Sequence, residues 1–193
     1  RDRGMADADR AALYAAGADG MLPLDPPSSG VAVDEAKGEI RVSGKRTCGG
    51  FGLAGSVLEA GALTASIADH RALVAVTSLG EDKISQASRL LVWHVTDLHG
   101  EGFAWGGRCS SSNGARTGIK TWGSGKKLLA HVGTAKISLR HERPEGLVVY
   151  TLDAIGNHRG KVPAVVRNGK LEFEASVRQP FGACFYYEIA EKK

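Results

Sequence analysis

Between Arg71 and Asp97 two apolar runs, Leu73–Val76 and Leu90–Val95, flank a polar turn at Gly80-Glu81-Asp82. Both runs are short and rich in β-branched and aromatic residues, which marks them as strands rather than helices. In the second run Leu90 and Val92 fall on one face, and Leu91, Trp93 and Val95 on the other. Apolar residues on both faces predict a strand covered on both sides, in the middle of its sheet. The expectation is that Val74, Val76, Leu91 and Trp93 are all buried.

A period of two recurs down the chain. Ile40 and Val42 alternate with Glu39, Arg41 and Ser43; Ala135, Ile137 and Leu139 alternate with Lys136, Ser138 and Arg140. Leu171, Phe173, Ala175 and Val177 alternate with Glu172, Glu174 and Ser176. Leu63–Ile67, Leu147–Leu152, Val162–Val166 and the Phe185-Tyr187-Ile189 set are further short runs. Asn168-Gly169 is a hairpin signal, because both residues tolerate positive φ. About nine or ten short strands, separated by glycine turns and accompanied by one helix, predict an all-β fold, an antiparallel β-sandwich of jelly-roll or Ig-like kind.

The helix is expected near the N-terminus. Ala6–Ala16 is alanine-rich, with Asp7 and Asp9 early and Gly17 after it. Acid at the start and glycine at the end suit a short helix. Pro23, Pro26, Pro27 and Ser28-Ser29-Gly30 then read as a connector. Residues 1–30 are therefore expected to be a helix and linker from an upstream domain, and residues 31–193 the sandwich. Arg1 is preceded by no initiator Met and followed by no signal-peptide pattern, as expected for a piece of a longer protein.

Hydrophobic content of 42% in 193 residues supports a folded core. Lysine plus arginine is 25 against 21 acidic residues, and the charges form no long basic run. That predicts a solvated surface rather than a nucleic-acid face. No segment approaches the roughly 20 apolar residues of a membrane helix. Cys48, Cys109 and Cys184 form no C-x-x-C pair, so no structural metal site is expected. One bridge with a thiol left over and three free thiols both remain open.

Motifs for catalysis are sparse. Gly123-Ser124-Gly125-Lys126-Lys127 resembles a phosphate loop only superficially, since Lys120 stands where glycine is needed and Lys127 replaces the magnesium-binding hydroxyl. No G-x-S-x-G elbow occurs. His94 and His99 have no ligand spacing, and His94 with Asp97 reads as a polar pair at a strand end. No cofactor is expected.

One segment breaks the strand rhythm. His99 to Lys126 is glycine-rich, with serines at 110–112, and carries Phe103, Trp105 and Trp122. Loops of this length inside a compact domain are usually functional or disordered, and the aromatics speak against disorder. Trp105 and Trp122, with Arg108 and Arg116 as a polar rim, are the candidate carbohydrate- or partner-binding residues. A docking role toward another domain is expected first; sugar stacking is the rival.

Several phrases together resemble a known family. Arg41-Val42-Ser43-Gly44-Lys45-Arg46-Thr47-Cys48-Gly49-Gly50-Phe51 is similar to a strand–turn–strand ending in a T-P-R-T-Q-G-G-F-like phrase. Val76–Leu79 with Ile84–Asp97 is similar to a serine–leucine phrase leading into an apolar strand that ends in Thr-Asp. Val149–Asp153, Gly156, Arg159–Pro163 and Tyr187–Ile189 are similar to its closing strands. The set resembles the C-terminal accessory β-sandwich domain of large bacterial glycoside hydrolases whose catalytic domain is a TIM barrel, over residues 31–190. Lys45 and Cys48 depart from the pattern.

The resemblance implies a non-catalytic domain that supports an upstream catalytic barrel of the same protein. It places the catalytic carboxylates on that barrel, and favours a secreted or periplasmic location. An autonomous carbohydrate-binding module is the alternative, and a small jelly-roll polysaccharide-active enzyme a third.

Overall fold

The computed structural model describes residues 30–111 and 114–192, and of residues 107–117 the backbone only. The helix and connector expected over residues 1–30 lie outside the described residues, apart from Gly30. Every strand pairing among the described residues is antiparallel. Helical structure among the described residues is confined to one 3-10 turn, Pro144–Gly146.

Two sheets make up the body. The larger has eight strands in the order β1 (Gly30–Asp34), β2 (Glu39–Ser43), β3 (Thr47–Gly52), β6 (Ala72–Ser78), β7 (Arg89–Val95), β19 (Tyr186–Glu191), β13 (Leu147–Leu152) and β14 (His158–Val162). The smaller has five: β15 (Ala164–Arg167), β16 (Lys170–Ser176), β12 (Thr134–Arg140), β5 (Leu63–Ile67) and β4 (Val57–Ala60). The shortest of the crossings between the two sheets is the single residue Pro163, which joins edge strand β14 to edge strand β15.

Both sheets bury one face in a common core. The larger contributes Val74, Val76, Leu90, Val92, Val149, Tyr187 and Ile189; the smaller contributes Leu58, Leu63, Ile67, Ile137, Leu139, Leu171 and Phe173. The turn expected at Gly80-Glu81-Asp82 opens a longer connection that folds under the sheet and buries Ile84 and Ala87. Tyr187 on β19 ties the layers together. Its hydroxyl donates to the Ser176 carbonyl and accepts from the Ser176 N–H on β16, each at 2.8 Å. Burial pushes that phenol well above its ordinary pKa. Cys48 and Cys184 are buried free thiols.

The parity of β7 corrects one expectation. Leu90, Val92 and His94 face the core with no exposure, whereas Trp93 is 37% exposed and Leu91 and Val95 are only partly covered. Among the described residues, the larger sheet meets a second layer on one side only. Trp93 therefore lies on its outer face, edge-on to Tyr186 at 5.6 Å.

Two cross-strand rows of that outer face are apolar, and a third, Thr47, Thr77, Leu91, Glu188, Tyr150 and Lys161, is mixed. One row runs Val33, Ile40, Phe51, Leu73, Val95. The next runs Val31, Val42, Gly49, Ala75, Trp93, Tyr186. The outer face of the smaller sheet is polar at its centre, with Lys136 beside Glu174 and Ser66, and Ser138 beside Glu172 and Thr64, while Val57 and Val165 lie on its edge strands. Gly49 and Gly50 hold β3 close to its neighbours: a Cβ at Gly49 would meet the Val74 carbonyl oxygen at 2.3 Å, and one at Gly50 the Ile40 carbonyl oxygen at 2.0 Å.

Candidate functional site

The segment expected to be a long functional loop is built of short strands. β8 (Leu98–Gly100) pairs with β11 (Leu128–Ala130), and between them β9 (Ala104–Ser111) pairs with β10 (Gly114–Thr121) as a hairpin. A minor pair, β17 (Arg178–Gln179) with β18 (Gly182–Ala183), completes the described elements.

Two glycines let the base of this arm close. A Cβ at Gly100 would lie 2.7 Å from the Trp122 carbonyl oxygen, and one at Gly123 would lie 2.5 Å from that of Glu101. Gly123 also sits at φ +85°, where a side chain is strained. The chain bearing Trp122 thereby lies against the turn after β8, and Ser124 N–H donates to the Glu101 carbonyl at 2.7 Å.

The closed base gathers a run of rings. His70 stacks on His131 at 4.4 Å, His131 meets His99 edge-on at 5.2 Å, and His99 stacks on Phe103 at 4.2 Å. Phe103 in turn contacts Trp105 at 5.2 Å and Trp122 at 6.4 Å. The outer end is open to solvent, with Trp105 54% and Trp122 75% exposed. His99, Phe103, Trp105, Leu129, His131 and Val132 line an open hollow of about 520 Å³.

Asp97 anchors the inner end. Its Oδ2 accepts from Arg71 Nε at 2.7 Å and lies 3.2 Å from His70 Nε2. Partial burial alone would raise its pKa, but the hydrogen bonds from Arg71 and His70 outweigh burial and hold the carboxyl below its ordinary value. Charge-assisted pairs of this kind fix side-chain orientation, so the ring run starts from a held point. No group of three or more His, Cys, Asp or Glu residues placed to hold a metal occurs among the described residues.

The expected pairing of His94 with Asp97 does not form. Three residues apart on extended chain, the two point to opposite faces. His94 faces the core, fully buried, and both ring nitrogens lack a partner. Burial lowers its pKa to about 4. Of the four residues singled out beforehand, Trp105 and Trp122 meet at Phe103. Arg108 and Arg116 stand three residues further up the hairpin from the Trp105–Ile119 level, and only their backbone is described. The histidine run was not foreseen, because His70, His99 and His131 come from three separated segments.

A second polar cluster borders the apolar rows on the outer face of the larger sheet. Glu188 on β19, 6% exposed, accepts from Arg89 Nε at 2.6 Å and lies 2.5 Å from His158 Nε2. Tyr150 stacks on His158 at 4.2 Å. Burial would raise the Glu188 pKa, but Arg89 and His158 overcome it and lower it.

No family model matches the chain, and no curated protein or solved structure matches it either.

Proposed function

We propose that the chain is a non-catalytic accessory β-sandwich of a bacterial carbohydrate-active enzyme, a glycoside hydrolase by its sequence resemblance. It packs the outer face of its larger sheet against the catalytic barrel of the same protein. The observation that carries the reading is the asymmetry of the two outer faces. Solvent-facing sheet surfaces alternate toward polar residues, as the smaller sheet does at its centre. The larger sheet instead presents Leu73, Trp93 and Ile40 at 39%, 37% and 43% exposure, beside Phe51, Val95 and Tyr186. Apolar patches of this extent mark interaction surfaces. The Arg89–Glu188–His158 network at the border supplies the polar rim that such surfaces usually have.

The test uses Leu73→Lys and Trp93→Lys, separately, in the isolated chain and in the full-length enzyme. Both positions point away from the core, so the isolated chain keeps its melting temperature to within about 3 °C. The full-length protein loses roughly 2 kcal/mol or more, because a charge is then trapped in a dry contact. Equal melting behaviour of wild-type and variant full-length proteins would remove the docking role. The isolated chain is also expected to hydrolyse none of a panel of aryl glycosides and polysaccharides. Turnover that vanishes on changing one Asp or Glu would overturn the non-catalytic reading.

A further inference from the structure

We propose that the ring-lined hollow at the base of the β9–β10 arm is a binding site for an acidic glycan, one carrying uronate or sulfate groups. It is lined by residues other than those of the sheet face assigned to docking, and it does not depend on that assignment.

Three observations converge on this ligand. The first is aromatic: Phe103, Trp105 and Trp122 form one cluster, and both tryptophans are more than half exposed. Exposed tryptophans held at fixed angles by a neighbouring ring offer rigid apolar surface, which suits the C–H face of a pyranose. The second is polar: the His99 and His131 imidazoles line the same hollow and can exchange hydrogen bonds with hydroxyls. His131 is backed by His70, which bonds Asp97, itself held by Arg71. A few oriented polar groups around an apolar floor are the usual make-up of a small-ligand site.

The third is charge. Residues 98–131 contain Arg108, Arg116, Lys120, Lys126 and Lys127 against Glu101 alone. That segment therefore carries the whole net charge of +4, while the rest of the chain balances 20 basic against 20 acidic residues. A neutral sugar needs no such field; an anionic one is drawn to it. Single-stranded nucleic acid would also answer to aromatics and positive charge. It binds along grooves that track a backbone over several nucleotides. Here His99, Phe103, Trp105 and His131 line one open hollow of about 520 Å³, with Trp122 against Phe103.

Tryptophan fluorescence titrations of the chain test this, using hexameric oligogalacturonate, neutral cellohexaose and a single-stranded thymidine oligonucleotide. Saturable binding of oligogalacturonate is expected, tighter than that of cellohexaose and weakened by salt. Trp105→Ala and Trp122→Ala should each weaken it about tenfold, read by calorimetry, with melting temperature unchanged. The double variant Lys126→Gln/Lys127→Gln should narrow the preference for the acidic over the neutral glycan.

Several results would overturn the proposal: no saturable response to oligogalacturonate, equal binding of the neutral glycan, tighter binding of the oligonucleotide, or binding indifferent to both tryptophan changes. Because the measurement needs no catalytic domain, its failure leaves the sheet-face reading standing, and the reverse also holds.

Discussion

Replacing Tyr187 with alanine is expected to cost about 5 kcal/mol, close to the entire stability of a small domain. Two losses combine. The ring is fully buried between the sheets and packs against Phe173 at 6.0 Å between ring centres. Its hydroxyl also satisfies both backbone groups of Ser176 across the layers. Tyr187→Phe separates the two: it keeps the ring and leaves the Ser176 groups without their partner, at roughly 2 kcal/mol. Urea unfolding of the three proteins decides. A phenylalanine variant as stable as the wild type would show that the hydroxyl ties nothing together. An alanine variant within about 1 kcal/mol would take Tyr187 out of the core.

The second large effect is acid sensitivity through His94. The ring is buried without a hydrogen-bond partner, and burial depresses its pKa from 6.5 to about 4. The unfolded chain takes up this proton near pH 6.5, whereas the folded chain resists until about pH 4. Stability is therefore complete above pH 6.5 and falls as the pH drops toward 4, by roughly 3 kcal/mol in all. The carboxylates of Asp97, Asp153 and Glu188 have lowered pKa values and add their own losses at the acid end. His94→Leu isolates the imidazole. It should flatten the curve between pH 6.5 and 4 and leave stability at pH 7.5 equal or higher, since no unpartnered nitrogen remains in the core. Parallel curves for the two proteins would mean that His94 is neutral in both states, or hydrated when folded.

The strands and most of their faces could be read from the residues alone where one face was apolar and the other polar. Ile137 and Leu139 point inward and Lys136 and Ser138 outward, as their alternation requires. The Asn168-Gly169 turn takes φ of 50° and 71° and joins β15 to β16. In β7 the same reasoning had nothing to choose with, because both faces are apolar. The deciding fact was which face met the second sheet, and that is set by the whole topology. Trp105 and Trp122 were findable as aromatics in a glycine-rich stretch. Their neighbours were not: Asp97, His70 and His131 come together only because β6, β7 and the return from β11 end at one place. Strand structure in the arm was also hidden, since glycine and serine give no period-two signal.

The one-residue passage at Pro163 bears on how such a chain avoids polymerising. An edge strand exposes unpaired backbone groups that another molecule can extend. Here two edges, β14 and β15, are consecutive in the chain, short, and separated by a residue with no N–H to offer. They carry His158, Arg159, Lys161 and Arg167, and a register irregularity interrupts β14 where it pairs with β13. Like charges on two molecules brought edge to edge would repel, and the irregularity would spoil the register. Among the described residues the opposite border, β1 and β4, is as short, holds Val31, Ala32 and Val33 with only Asp34 and Glu59 as charges, and pairs without a register irregularity. The described chain begins on this border, at Gly30 of β1, where intermolecular strand addition meets least resistance.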